Sequence, residues 1–171
     1  MKLVIEKLPD LRALYIRQLR LLLSAEEQIV RGLPIMIETA MDTQLKQAFQ
    51  SHLQETEVHL TRLRNILETI SGEAEPIKCK VLSALIDEVE DQVRSCSHHA
   101  VRDAALIAGA QRIEHYEIAT YGALRHFAQV LGRTSDAETL NQTIHEEGHA
   151  DHLLTSIAER VNPAAQQARA A

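Results

Sequence analysis

Residues 143–154 read TIHEEGHADHLL and crowd three carboxylates and three histidines into three turns' worth of chain. Glu146 and His149 have Glu-x-x-His spacing, by which a helix holds iron or manganese inside a four-helix bundle. The chemistry on offer is carboxylate and imidazole ligation of a redox metal. Whether that pair or its neighbours in the same stretch supply the ligands depends on the face the helix turns inward.

The chain has 171 residues, suited to one domain with a substantial core. Hydrophobic residues make up 45% and charged residues 25%, as in ordinary globular proteins. Aromatics at 3%, no Trp, four prolines and six glycines favour helices over a β-sandwich, which needs aromatic strands and many turns. A net charge of −6 and no basic patch interleaved with aromatics argue against nucleic-acid binding, which needs clustered Lys and Arg. The start, MKLVIEKLPD, is too short an apolar run for a signal peptide and meets Pro9 early; no run of eighteen apolar residues exists to span a membrane. Cys79 and Cys96 lie far apart along one helical segment, roughly 25 Å at 1.5 Å per residue, too far for a disulfide. They read as reduced thiols of a cytoplasmic protein.

Punctuation divides the chain into helices. The first runs from about Leu8 to Pro34, where proline should kink or break it, with a short continuation to Asp42. Asp42 is a plausible N-cap for the second, which ends at Ser71-Gly72. A shorter helix follows Pro76 and stops near Cys96. After SCSHHAV, with Ser97 as a possible cap, a long run from Val101 to Leu131 is closed by Gly132. Ser135 with Glu138 has capping-box spacing for the last helix, which Asn162-Pro163 should end. The reading is an all-α, four-helix bundle over residues 1–162, with an additional short helix in the crossover between the second and third long helices. Residues 163–171 read as a disordered tail.

Helical wheels at about 100° per residue then show which polar residues fall on apolar faces. In the first helix the face is Tyr15, Leu19, Leu22, Glu26, Ile29 and Leu33, with Glu27 turned aside. In the second it is Leu45, Phe49, His52, Thr56, His59, Leu63, Ile66 and Ile70, with Glu55 at its edge and Glu57 opposite. The third long helix aligns Ala110, Glu114, Glu117, Tyr121, Leu124 and Ala128, while His115 and Tyr116 point largely away. The last aligns Leu140, Ile144, Glu147, Asp151, Leu154 and Ala158. On this wheel His149 is roughly opposite, Glu146 is far to one side, and His145 and His152 point outward. The Glu146–His149 spacing therefore reads as a surface coincidence, and Glu147 with Asp151 as the useful pair.

Every long helix thus turns a carboxylate into or beside the core. Buried carboxylates repel one another unless cations lie between them. Two divalent ions bridged by carboxylates provide that compensation, and oxygen-rich ligands with a little imidazole suit iron or manganese better than zinc or copper. A lone core-facing histidine is more often a hydrogen-bonded structural residue, so His52 and His59 remain open between ligation, support of the ligands and packing. Tyr15 and Tyr121 fill the core and could hydrogen-bond metal-bound carboxylates from outside the ligand set. His98, His99 and His126 read as solvated.

HLQETEVHLTRL in the second helix and VRDAALIAGAQRIEHYEIATYGAL in the third long helix resemble the YciE/YciF family of bacterial stress proteins, most like its YciF branch. SAEEQI and EEGHADHLL fit the same pattern, and the likeness extends to about Val161. The resemblance implies a ferritin-like bundle related to rubrerythrins, a di-iron centre with two ions per chain (manganese possible) and a homodimer. Carried over residue by residue, it supplies Glu26, His52, Glu55, Glu114, Glu117, Glu147 and Asp151 as metal ligands, with Glu55 and Glu114 as bridges. The Glu-x-x-His usual in the second helix is absent, because Val58 stands three after Glu55.

The implied activity is oxidation of Fe(II) by O2 or H2O2. No catalytic residue is singled out, and no nucleic acid or membrane partner is expected. The rival reading is a non-catalytic dimeric helical stress protein whose polar core is a structural or weakly metal-binding network.

Overall fold

A computed structural model describes residues 7–168. Five helices appear in the order α1 (Leu11–Thr39), α2 (Thr43–Ser71), α3 (Lys80–Ser95), α4 (His99–Val130) and α5 (Thr134–Gln167), with no strand among the described residues. The four long helices form the bundle, α3 is the additional helix of the crossover, and no helix is long and apolar enough to cross a membrane.

The ends are set by local chemistry. Asp10 opens α1 by accepting from the Ala13 amide, and Asp42 opens α2 by accepting from Gln44 and Leu45. Gly72 closes α2 at φ 75 and Gly132 follows α4 at φ 70, both left-handed positions that glycine adopts without a Cβ clash. Five boundaries differ from expectation. Pro34 lies inside an unbroken α1, and α3 starts at Lys80, four residues after Pro76. Ser135 sits within α5, whose preceding residue Arg133 makes no side-chain cap; the first turn instead carries Asp136, paired with Arg133. Finally, α5 runs through Pro163 to Gln167 instead of ending at Asn162. A proline removes one N–H and clashes with a single preceding turn, which packed helices on either side can override. At the start of α4 the cap is His98, whose Nδ1 accepts from the Ala100 amide, rather than Ser97.

Short links make α1 pack on α2 and α4 on α5. The Met41 and Asp42 amides both donate to Asp103, at 2.9 Å each, which ties the start of α4 to the start of α2. The crossover must therefore return the chain along the bundle, and it is pinned as it climbs: Ile77 N–H to Arg20 C=O, Cys79 N–H to the Ser24 hydroxyl. Arg160 near the end of α5 pairs with Asp42 and closes the same end. Where α3 crosses α4, Gly109 sets the separation: a Cβ there would lie 2.5 Å from Val89 Cγ2.

Fully buried leucines, among them Leu19, Leu22, Leu23, Leu63, Leu67 and Leu124, fill the core. Each contributes about 1.5–3 kcal/mol relative to exposure. That stabilisation offsets a polar middle layer which would otherwise oppose folding.

Candidate metal centre

The polar layer is made by short stretches of the four long helices. The inward stripe of α1 delivers Glu26, that of α2 His52 and His59, that of α4 Glu114 and Glu117, and that of α5 Glu147. Glu26, His59, Glu117 and Glu147 have no exposed surface at all, while His52 and Glu114 keep only 6% and 3%. The i, i+3 spacing of Glu114 and Glu117 stacks both on one face of α4.

Two ligand groups result. His52, Glu114, Glu117 and Glu147 can each offer one atom within 4.8 Å of the others, and so can Glu26, His59 and Glu147. Glu147 belongs to both. His52 Nε2 lies 3.3 Å from Glu114 Oε1 and 3.9 Å from Glu147 Oε2. His59 Nδ1 lies 3.0 Å from Glu147 Oε1 and 3.8 Å from Glu26 Oε1. The shortest of these contacts brings two potential ligand atoms together without hydrogen-bond alignment, for His59 Nδ1 and both Glu147 oxygens have no hydrogen-bond partner. The same holds for both oxygens of Glu117 and one each of Glu26 and Glu114.

Such orphaned, buried acceptors are costly, of the order of 1–3 kcal/mol each and more when charged. Their electrostatics register it. Burial, then the charge of Glu147, raises Glu26 to about 8 against the opposing pull of His59 and Tyr121. Burial followed by neighbouring carboxylates puts Glu114 and Glu117 well above the usual range. Burial works against the imidazolium of His59, yet Glu147, Glu26 and Glu146 together carry it up to about 9. The residues fit divalent cations. Four carboxylates (Glu26, Glu114, Glu117, Glu147) would balance the charge of two such ions, and the orphaned atoms converge where ions would sit.

The remaining expected residues lie around these groups. Glu55 stands outside both, 38% exposed in its side chain, with Oε2 3.8 Å from His52 Nδ1. Glu147, not Glu55 or Glu114, holds the shared position, because Glu55 projects from the edge of the α2 stripe. Asp151 is half-buried one turn beyond Glu147, where Gln111 donates to it at 3.1 Å and His115 lies 3.5 Å away; it joins neither group. The Tyr121 hydroxyl donates to Glu26, and burial raises its pKa far above the ordinary value. The Tyr15 hydroxyl donates instead to Asp136 at 3.3 Å, at the end of the bundle.

Glu146 is the residue the wheel undervalued. Its Oε2 meets His59 Nε2 at 2.8 Å, and Arg62 and Gln142 donate to the same carboxylate. Burial opposes its charge, but those donors hold it down to about 2. An anion on one imidazole nitrogen leaves the other, Nδ1, aimed at Glu26 and Glu147. His149 is exposed and borders an opening beside Glu55. A flank position beside a core-facing glutamate, opposite an arginine of the adjacent α2, offers no periodic signal in sequence.

A four-helix bundle with a buried carboxylate–histidine layer able to hold metal defines the class of protein. Within that class the chain belongs to the family described as Domain of unknown function (DUF892), matched over residues 10–168. It is 40% identical over 136 residues to the protein YciF of Escherichia coli K12, covering 79% of this chain and 82% of that one. The crystal structure of the E. coli stress protein YciF superposes with a TM-score of 0.86 at 36% identity, over 91% of this chain and 98% of the other. The YcfI protein of Rhodopseudomonas palustris gives 0.85 at 33% identity, over 88% and 96%.

Proposed function

We propose that this protein is a ferritin-like stress protein with a di-iron centre that oxidises Fe(II) with O2 or H2O2. The observation that carries the reading is the convergence of unpartnered buried oxygens and imidazole nitrogens into two groups joined at Glu147. Two bound ferrous ions would together supply two electrons, which with two protons take O2 to H2O2, or H2O2 to two waters.

The chain's own residues hold and protect that chemistry. His52, Glu114 and Glu117 would hold one ion, Glu26 and His59 the other, with Glu147 contributing to both. Glu146 fixes the His59 ring, and Tyr121 pins one oxygen of Glu26. Leucine layers above and below exclude water and keep the local dielectric low. Manganese would suit the same ligands. We further propose a homodimer in the cytoplasm, in keeping with the unpaired thiols of Cys79 and Cys96.

A non-catalytic core is the alternative, favoured by one feature: burial and mutual repulsion raise Glu26, Glu114 and Glu117, which favours protonated carboxyls that need no cation between them. Anaerobic titration with Fe(II) separates the two. The di-iron reading expects about two ions per chain, the number such bundles hold, and a lower stoichiometry in Glu114→Ala and Glu147→Ala. Unchanged uptake in both variants defeats the assignment. Uptake without oxygen or peroxide consumption selects the non-catalytic alternative.

A further inference from the structure

Two cavities reach His52 and Glu114 from different sides, and their chemistry differs. One, of about 70 Å³, lies between α2 and α5 and is bordered by Ser51, Glu55 and His149. The other, of about 80 Å³, lies among α1, α3 and α4 with α2 at its inner end, and is walled almost wholly by apolar side chains such as Met36, Phe49 and Ile113. It opens to the surface at Ile35, which is 57% exposed, and at its inner end meets His52 and Glu114.

Its size and lining restrict what it admits. A cavity that takes benzene is about 150 Å³, and a water needs two to four polar partners to occupy an apolar one. Hydrated cations and H2O2 would have to shed their hydrogen bonds to enter. A gas of two or three heavy atoms fits. The mouth also has a built-in vacancy. Gly32 lines it from the interior of α1, where glycine costs about 1 kcal/mol relative to alanine. A Cβ at Gly32 would meet nothing within 4 Å, so backbone crowding does not require glycine there.

We infer that the α1–α3–α4 cavity is a binding site and passage for a small apolar molecule, dioxygen, delivered to the His52–Glu114 side of the centre. Cations and peroxide then use the polar opening beside Glu55 and His149. The dioxygen assignment rests on the di-iron reading; the cavity's preference for an apolar gas does not.

The test uses xenon and the Gly32→Leu variant, whose side chain enters free space and improves helix propensity. Xenon-pressurised crystals of metal-free wild-type protein are expected to show xenon between Gly32 and Phe49, and crystals of Gly32→Leu to show none. After loading with Fe(II), the variant should oxidise iron with O2 at least about tenfold more slowly, a barrier increase near 1.4 kcal/mol, while peroxide-driven oxidation stays within about twofold. Absence of xenon from the wild-type cavity overturns the inference, and so does an unchanged O2 rate in a variant that excludes xenon. If neither protein takes up iron, the di-iron reading and the dioxygen assignment fail together, and xenon seating alone decides the apolar site.

Discussion

His59 Nε2 sits 2.8 Å from Glu146 Oε2, while Nδ1 of the same ring faces Glu147 Oε1 at 3.0 Å. The ring is held between a half-buried carboxylate anchored by Arg62 and a fully buried one. Orienting carboxylates of this kind typically change metal affinity 10–100-fold, so Glu146→Ala should weaken the Glu26–His59–Glu147 group by about that factor. Calorimetric titration with Fe(II) or Mn(II) should show one of two sites weakened. Two unaltered sites would mean that Glu146 does not orient the ligand.

The same layer predicts how metal-free stability depends on pH. Glu26 is raised to about 8 and His59 to about 9, so the folded state holds their protons more tightly than the unfolded state does. Their contributions are complete below the unfolded values, near 4.5 and 6.5, and are lost as pH rises through 8 and 9. Melting temperature in the presence of a chelator should therefore fall as pH rises from about 4.5 to about 9, from the lower unfolded value to the higher folded one. Added divalent metal should reverse the fall and release protons. A flat metal-free profile over that range would contradict the charge assignment.

Glu117 has two buried oxygens without any hydrogen-bond partner. Glu117→Met keeps the length of the side chain and removes both unsatisfied buried oxygens, so the metal-free protein should gain about 1 kcal/mol or more, near 2–4 °C in Tm for a chain of this size. The variant should bind less metal. Thermal melts with and without Mn(II) measure both, and a lower Tm in the metal-free variant would show that Glu117 is satisfied in a way its surroundings do not suggest.

Gly109 tests the docking of α3. A methyl group there would press on Val89, whose branched side chain is stiff, and the contact at 2.5 Å leaves no room. Gly109→Ala should destabilise by about 1–3 kcal/mol despite better helix propensity. Hydrogen exchange should rise first in 80–95. Unchanged exchange there would mean that α3 shifts outward at no cost.

Much of this protein is determined by its one-dimensional pattern. The inward stripes follow directly from helical periodicity, so Glu26, His52, Glu114, Glu117 and Glu147 could be assigned to the core one helix at a time. Capping chemistry at Asp42 and the glycines at 72 and 132 likewise depends on a few adjacent residues. The prolines at 34 and 163 did not end their helices, because neighbouring packing outweighs a local backbone preference.

Tertiary structure decided the matters that depend on two helices at once. A wheel has no depth, so it could not tell that Glu147 reaches both groups while Asp151, one turn on, is taken up by Gln111. Nor could it rank His59 over Glu55, or send the Tyr15 hydroxyl to Asp136 and that of Tyr121 to Glu26. The opening Glu146–His149 spacing separates in the same way. His149 stays at the surface, whereas Glu146 becomes the partner of a buried histidine only because α2 brings His59 and Arg62 to its flank. Periodicity states which face is buried; the distances between helices state which atoms on that face meet.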